Sequence, residues 1–185
     1  MGVVRRARYR LGQFQRSIRA ENLTSNQQSE IQATLSELEF ALFNRQSAAD
    51  KQHAYTVMTT LKTAGYEEKD LLAAALLHDV GKTYGQMSWW DRSVVVLAEA
   101  LTPSLAAKWS HGSGEGWSRP FVIKAKHADW GAEAAAKAGS RLLTVDLIRF
   151  HHQANPDRGH QTSNASMDSK FESCLALLSW ADEAN

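Results

Sequence analysis

The chain has 185 residues, 43% of them hydrophobic and 22% charged, and a formal net charge of +1 at pH 7. That length suits one domain with a substantial core, and the near-neutral balance excludes a general electrostatic pull towards polyanions, so any such partner needs a local basic site. No apolar run approaches the roughly 18–20 residues of a membrane span, and the single cysteine, Cys174, excludes an internal disulfide.

Residues 1–30 form a segment apart. Its first twenty positions carry six arginines (Arg5, Arg6, Arg8, Arg10, Arg16, Arg19) and no acid, and lack the apolar core of a secretory signal. Val4, Ala7, Leu11, Phe14 and Ile18 fall at spacings of 3, 4, 3 and 4, one apolar stripe of a basic amphipathic helix. Docking of that stripe on the domain or on a second subunit is the favoured reading; a lipid or nucleic-acid contact and an organellar presequence are the alternatives.

Residues 31–185 read as one all-helical domain. Ile31 to Phe43 predicts a helix capped by Ser29, with Ile31, Leu35, Leu38 and Leu42 inward. Asp50 to Ala64, closed by Gly65, predicts a second, and Glu67 to Asp79, stopped by Gly81, a third. Residues 86–120 are the least regular. Trp89, Trp90, Val94 to Leu97 and Leu105 predict one or two short helices interrupted by Pro103, and the glycine-rich stretch 110–116 predicts a loop able to act as a lid. Trp89, Trp90 and Trp117 read as core, with stacking on a base as the alternative. Further helices are predicted at about 127–138, ended by Gly139, about 141–153, and about 168–183, with a polar loop at 157–164. Cys174, set among Phe171, Leu175 and Leu178, reads as a buried, inert thiol, which fits a reducing, cytoplasmic setting.

Ionisable side chains recur on the inward stripes. His53 precedes Val57 and Leu61 by four and eight positions; His78 continues Leu71 and Ala75; Asp79 continues Leu72 and Leu76; His151 and His152 follow Leu147 and Ile148 by four; Asp182 ends the series Phe171, Leu175, Leu178. A lone inward histidine is ordinarily a hydrogen-bonded core residue. Five of the seven histidines together with two aspartates are another matter, because burying them uncompensated costs more than a small domain's margin of roughly 5–15 kcal/mol. Divalent transition metals satisfy imidazoles and carboxylates together. Neighbours such as His78 and Asp79 diverge by about 100° on a helix, which favours an aspartate bridging two cations over a pair clamped to one. His111 and His160 lie in polar loops and read as surface residues.

The order His53, then His78-Asp79 in LLHDVGK, then Asp182 in LLSWADEAN resembles the HD superfamily of metal-dependent phosphohydrolases. KHADWGAEAA with His127, and LIRFHHQ with His151 and His152, are similar to the extra histidine segments of its two-metal members, among them HD-GYP phosphodiesterases and oxygenases related to myo-inositol oxygenase. The Gly-Tyr-Pro signature is not present, which sets cyclic dinucleotides aside. The resemblance implies an HD-domain bundle of about 6–8 helices and two divalent cations, Fe, Mn or another transition metal. His53, His78, Asp79 and Asp182 would hold the first, and Asp79, His127 and His151 the second, with His152 a ligand or an outer partner.

It further implies that Asp79 is catalytic and that Lys82 faces substrate or the activated water; a solvated helix-end cation is the plain alternative for Lys82. Arg119, Arg149 and Arg158 are phosphate-clamp candidates near the histidine segments, each also readable as a surface residue. Asp50 is a hydrogen-bond acceptor for His53 or a helix-start acid. The leading function is hydrolysis of a phosphomonoester or phosphodiester, such as a nucleotide or small phosphorylated metabolite. The alternatives are a mixed-valent di-iron oxygenase and a non-catalytic signalling or scaffold module, and a homo-oligomer is compatible with each.

Overall fold

The computed structural model describes residues 22–85, 91, 94, 95, 97, 98, 101–110, 112, 116–152 and 165–185. The basic segment up to residue 21, Trp89, Trp90, His111, Arg158, His160 and the 157–164 loop lie outside the described residues, as does most of the predicted glycine-rich lid. All the described secondary structure is helical: α1 Ser25–Thr34, α2 Glu37–Phe43, α3 Ala48–Thr63, α4 Lys69–Leu77, a 3-10 turn Val80–Tyr84, α5 Pro103–Trp109, a 3-10 turn Gly116–Ser118, α6 Arg119–Lys137, α7 Leu142–Phe150 and α8 Ala165–Ala184. Among these no helix is long and apolar enough to cross a membrane.

The centre is α4, buried on every side from Asp70 to Leu77, as an apolar run without a polar face requires. Helices α1, α2, α3, α7 and α8 pack around it, and α6 packs on α7 and on the Val80–Tyr84 turn. Ile31, Phe43, Met58, Leu61, Leu147, Ile148 and Leu178 close one continuous core. Cys174 belongs to it, and burial, then Glu68, push its thiol pKa up, away from reactivity.

The single helix expected over Ile31–Phe43 is two helices. Thr24, not Ser29, caps α1, and Ser36 opens α2 with a reciprocal cap: its hydroxyl accepts from the Glu39 amide while Glu39 accepts from the Ser36 amide. The break between α1 and α2 changes the register, so Leu38 is 63% exposed instead of buried. Helix α3 starts earlier than expected because the Ser47 hydroxyl caps it, and the same hydroxyl donates to Asp50, which makes Asp50 a helix-start residue. Gly65 and Gly139 end their helices at positive φ, +89° and +81°. After each the next amide reaches back to close the last turn, Tyr66 to Leu61 and Ser140 to Ala135.

Gly81 is not a helix stop. It lies inside the Val80–Tyr84 turn, where a Cβ would sit 1.8 Å from the His127 carbonyl oxygen and 2.7 Å from the Gly131 nitrogen. Only glycine lets this turn press against α6. Described helical residues run up to Leu101, Thr102 breaks them and Pro103 begins α5, so the interruption falls at Pro103 as expected, whereas α6 begins at Arg119, earlier than the expected 127, with proline in its first turn where the missing N–H costs nothing. Trp117 is not core: it is 64% exposed, edge-on to Trp109 with ring centres 4.6 Å apart.

Candidate metal centre

Seven side chains from five parts of the chain converge beside the end of α4. His53 comes from α3, His78 and Asp79 follow α4, His127 is mid-α6, His151 and His152 follow α7, and Asp182 lies in the last turns of α8. His78, Asp79, His127 and His151 are each at most 4% exposed.

Asp79 is the hub. Its Oδ2 lies 3.5 Å from His78 Nε2 and also receives the Lys82 ammonium, while its Oδ1 lies 3.5 Å from His127 Nε2 and 4.0 Å from His151 Nε2. Asp182 Oδ1 lies 2.8 Å from His53 Nε2 and 3.7 Å from His78 Nε2. Two groups of donor atoms result, each within 4.8 Å of one another: His53, His78 and Asp79, and Asp79, His127, His151 and His152. A cation bound at about 2.0–2.3 Å from nitrogen and oxygen spans such a group.

The histidines are oriented by the helices that carry them. His78 Nδ1 donates to the Ala75 carbonyl at 2.9 Å, His127 Nδ1 to Lys124 at 2.8 Å, and His151 Nδ1 to Ile148 at 2.6 Å, in each case three residues back. With Nδ1 anchored on its own helix, each ring turns Nε2 towards Asp79 and its neighbours, which is the orientation of a ligand histidine. His78 Nε2 and His151 Nε2 are buried with no hydrogen-bond partner. His152 is exposed as a residue, yet its Nε2 turns inward to 2.9 Å from His127 Nε2. Two facing lone pairs repel, so a proton or a cation belongs between them. These unsatisfied, converging donors fit divalent metal.

Electrostatics point the same way. Burial alone would raise the Asp79 carboxyl, but Lys82, His78 and His127 hold it well below the usual carboxylate range. Burial would also raise Asp182, against which the hydrogen bond from His53 and the charge of His78 prevail, so its pKa is far below normal. Burial, then His152 and His78, push His151 well below an ordinary imidazole; the desolvation His152 meets at its inner edge, then His127, brings it to about 4. At neutral pH the carboxylates are charged and these two imidazoles are neutral, the forms that ligate.

Lys82 is paired with the buried Asp79 and is not a free helix-end cation. Arg149 is on α7 two positions before His151, half-buried with its Nε enclosed, whereas Arg119 is exposed at the start of α6. Two supports have no clear signal in the sequence. Gln46 donates to the Leu76 carbonyl, freed where α4 ends, at 3.1 Å, and no spacing marks it. Gly131 packs against Gly81 and Ile148 four positions after His127, and a glycine inside a helical stripe is the one available cue.

No curated protein and no solved structure matches the chain. Residues 51–182 match the HD domain family, a span that begins two positions before His53 and ends on Asp182. Because that match covers well over half of the sequence and encloses all seven converging residues, the chain belongs to the HD domain family.

Proposed function

We propose that this HD domain is a metal-dependent phosphohydrolase acting on a small phosphorylated metabolite or nucleotide. The observation that carries the reading is the pair of buried, unpartnered Nε2 atoms of His78 and His151, turned towards the two oxygens of one depressed carboxylate, Asp79. In a scaffold such groups would be a standing cost of several kcal/mol with nothing to offset it.

In this reading His53, His78, Asp79 and Asp182 hold one divalent cation and Asp79, His127 and His151 a second, with His152 at its outer edge. Bound there, such cations supply a water of lowered pKa and neutralise charge on phosphoryl oxygens. The chain's own contribution is rigidity and charge. The three Nδ1 anchors fix the imidazoles before substrate arrives, Asp79 joins the two halves of the site, and Lys82 brings a positive charge to the side of Asp79 that carries Oδ2. The balanced reaction adds water to phosphorus as the ester P–O bond breaks. The leaving oxygen takes up the proton, and no redox change occurs. A cytoplasmic setting with reduced Cys174 belongs to the same proposal.

The test is turnover. Protein reconstituted with Mn²⁺ or Fe²⁺ should hydrolyse a chromogenic phosphate ester, and Asp79→Asn should lower that rate by roughly 100-fold or more. Oxygen uptake with an unphosphorylated polyol, in place of ester hydrolysis, would replace the reading with an oxygenase.

A further inference from the structure

The helical residues before α5 carry more apolar surface than the described domain covers. Val94, Val95, Leu97, Ala98 and Leu101 are helical, and the Thr102 amide closes a turn on the Ala98 carbonyl at 2.7 Å. At about 100° per residue, Leu97, Leu101, Val94, Ala98 and Val95 follow one another around the helix over an apolar arc of about 160°. One edge of that arc is buried. Val95 and Ala98 pack with Phe121 and Trp109 in a small core of their own, where Val95 is 2% and Phe121 3% exposed. The other edge faces outward: Val94, Leu97 and Leu101 are 51%, 60% and 72% exposed.

Leu105 on α5 and Trp117, edge-on to Trp109, extend this ridge and are 44% and 64% exposed. Apolar side chains scattered singly are ordinary on a surface, but five large ones gathered around one small core mark a contact face. Two exposed cations border it. Lys108 lies three positions after Leu105, on the same side of α5, and Arg119 two positions after Trp117. Charge along the whole chain is sorted in the same sense. Residues 86–126 hold five basic and three acidic residues, and the first twenty hold six arginines and no acid, whereas the rest of the chain holds ten basic and seventeen acidic.

We propose that this ridge docks the protein on an anionic lipid surface, with Leu97, Leu101 and Trp117 entering the boundary between headgroups and acyl chains and with Lys108 and Arg119 meeting lipid phosphates. An apolar face bordered by cations gains both from burial and from the negative surface potential. The contact lies on the bilayer and needs no membrane-crossing helix. Charge selects this occupant over the two others that an apolar stripe invites. A second copy meeting the ridge across a twofold axis would bring Lys108 and Arg119 towards their own like charges. The apolar stripe of residues 1–20 would bring six arginines to a surface that is already basic.

The experiment sediments the whole chain with vesicles of phosphatidylcholine, with and without one quarter phosphatidylglycerol, and compares wild type with the double variants Leu97→Gln, Leu101→Gln and Lys108→Gln, Arg119→Gln. All four side chains are exposed, so each variant should keep the wild-type Tm. Wild type should bind the anionic vesicles about 10-fold or more tightly than the neutral ones at low salt, and lose binding as salt rises. The leucine variant should bind the anionic vesicles about 10-fold or more weakly than wild type, and the cation variant about 5-fold or more weakly. Wild type that does not sediment with anionic vesicles, or a cation variant that binds them as wild type does, would overturn the proposal. Binding by the leucine variant equal to wild type would overturn it too, assigning the contact to the N-terminal arginines. A wild-type dimer in analytical ultracentrifugation that ignores vesicles, and that the leucine variant splits into monomers, would give the ridge to a second copy instead.

Discussion

His53 Nε2 and Asp182 Oδ1 lie 2.8 Å apart although 129 positions separate them in the chain. This contact joins α3 to α8 and closes one half of the cluster, so the site exists only when the two ends of the matched region have packed. Ligand geometry and global fold are thereby coupled, and metal binding should read out as stability.

The coupling gives the first prediction. Reconstitution of chelator-treated protein with Mn²⁺ should raise its Tm by about 5 °C or more. Asp182→Asn, which keeps the shape and removes the charge, should abolish most of that rise when each protein is measured against its own chelated form, and should also lower the chelated Tm because the depressed carboxylate stabilises the metal-free fold. Calorimetry with and without metal decides it, and an equal rise in the variant would count against Asp182 as a ligand.

Acid should destabilise the metal-free protein from an unusually high pH. The folded chain holds His151 well below 6.5 and His152 at about 4, so between those values and 6.5 the unfolded chain binds protons that the folded one refuses. Stability contributed by the neutral imidazoles is complete above pH 6.5 and is lost as the pH falls towards the folded values. The depressed Asp79 and Asp182 act in the same direction, with losses beginning below about pH 5. Chelated protein should lose on the order of 1–2 kcal/mol between pH 7.5 and 5.5 by urea denaturation; a flat or rising profile would refute the role of burial.

Gly81→Ala should be among the most damaging small substitutions in the chain. The new Cβ would meet backbone, the His127 carbonyl oxygen at 1.8 Å, and backbone cannot rotate away. A loss of about 3 kcal/mol or more is expected, together with lower metal content, because the Val80–Tyr84 turn would be pushed off the helix that carries His127. Gly131→Ala, where the nearest atoms stand at 3.2 and 3.3 Å, should cost clearly less. Denaturation of both variants, with metal analysis, checks the ranking.

The matched family region begins at residue 51, yet the cooperative unit should begin earlier. Ile31 and Phe43 are 0% and 1% exposed and belong to the same core as α4. Phe43→Ala should cost about 3–5 kcal/mol, and a chain starting at residue 47 should fail to give a cooperative thermal transition. A truncated chain as stable as the full one would confine the domain to the matched region.

The cluster is legible in the sequence because side chains placed on helices inherit the helical period. His53, His78, Asp79, His151 and Asp182 each continue an apolar stripe, so burial of the stripe carries the ionisable group inward with it. Where regular helix ends, that logic fails. Leu38 continues the Ile31 stripe on paper but lies exposed, because the Ser36–Glu39 cap restarts the helix and rotates the residues beyond it. Ser36 and Glu39 stand at capping-box spacing, but the continuous hydrophobic pattern running through them masks the signal. Gly81 shows a different gap: its reason is a close approach to a carbonyl 46 positions later, which no local pattern contains. The Nδ1 anchors are equally silent, since every helical residue has a carbonyl three positions back.

The most direct test of the metal centre is anomalous diffraction from crystals of the Mn²⁺-reconstituted protein at the manganese edge. Two peaks that share Asp79 are expected, one within bonding distance of His53, His78 and Asp182, the other of His127 and His151. Crystals soaked in Mn²⁺ that show no peak within reach of the Asp79 carboxylate would contradict a metal centre at this site.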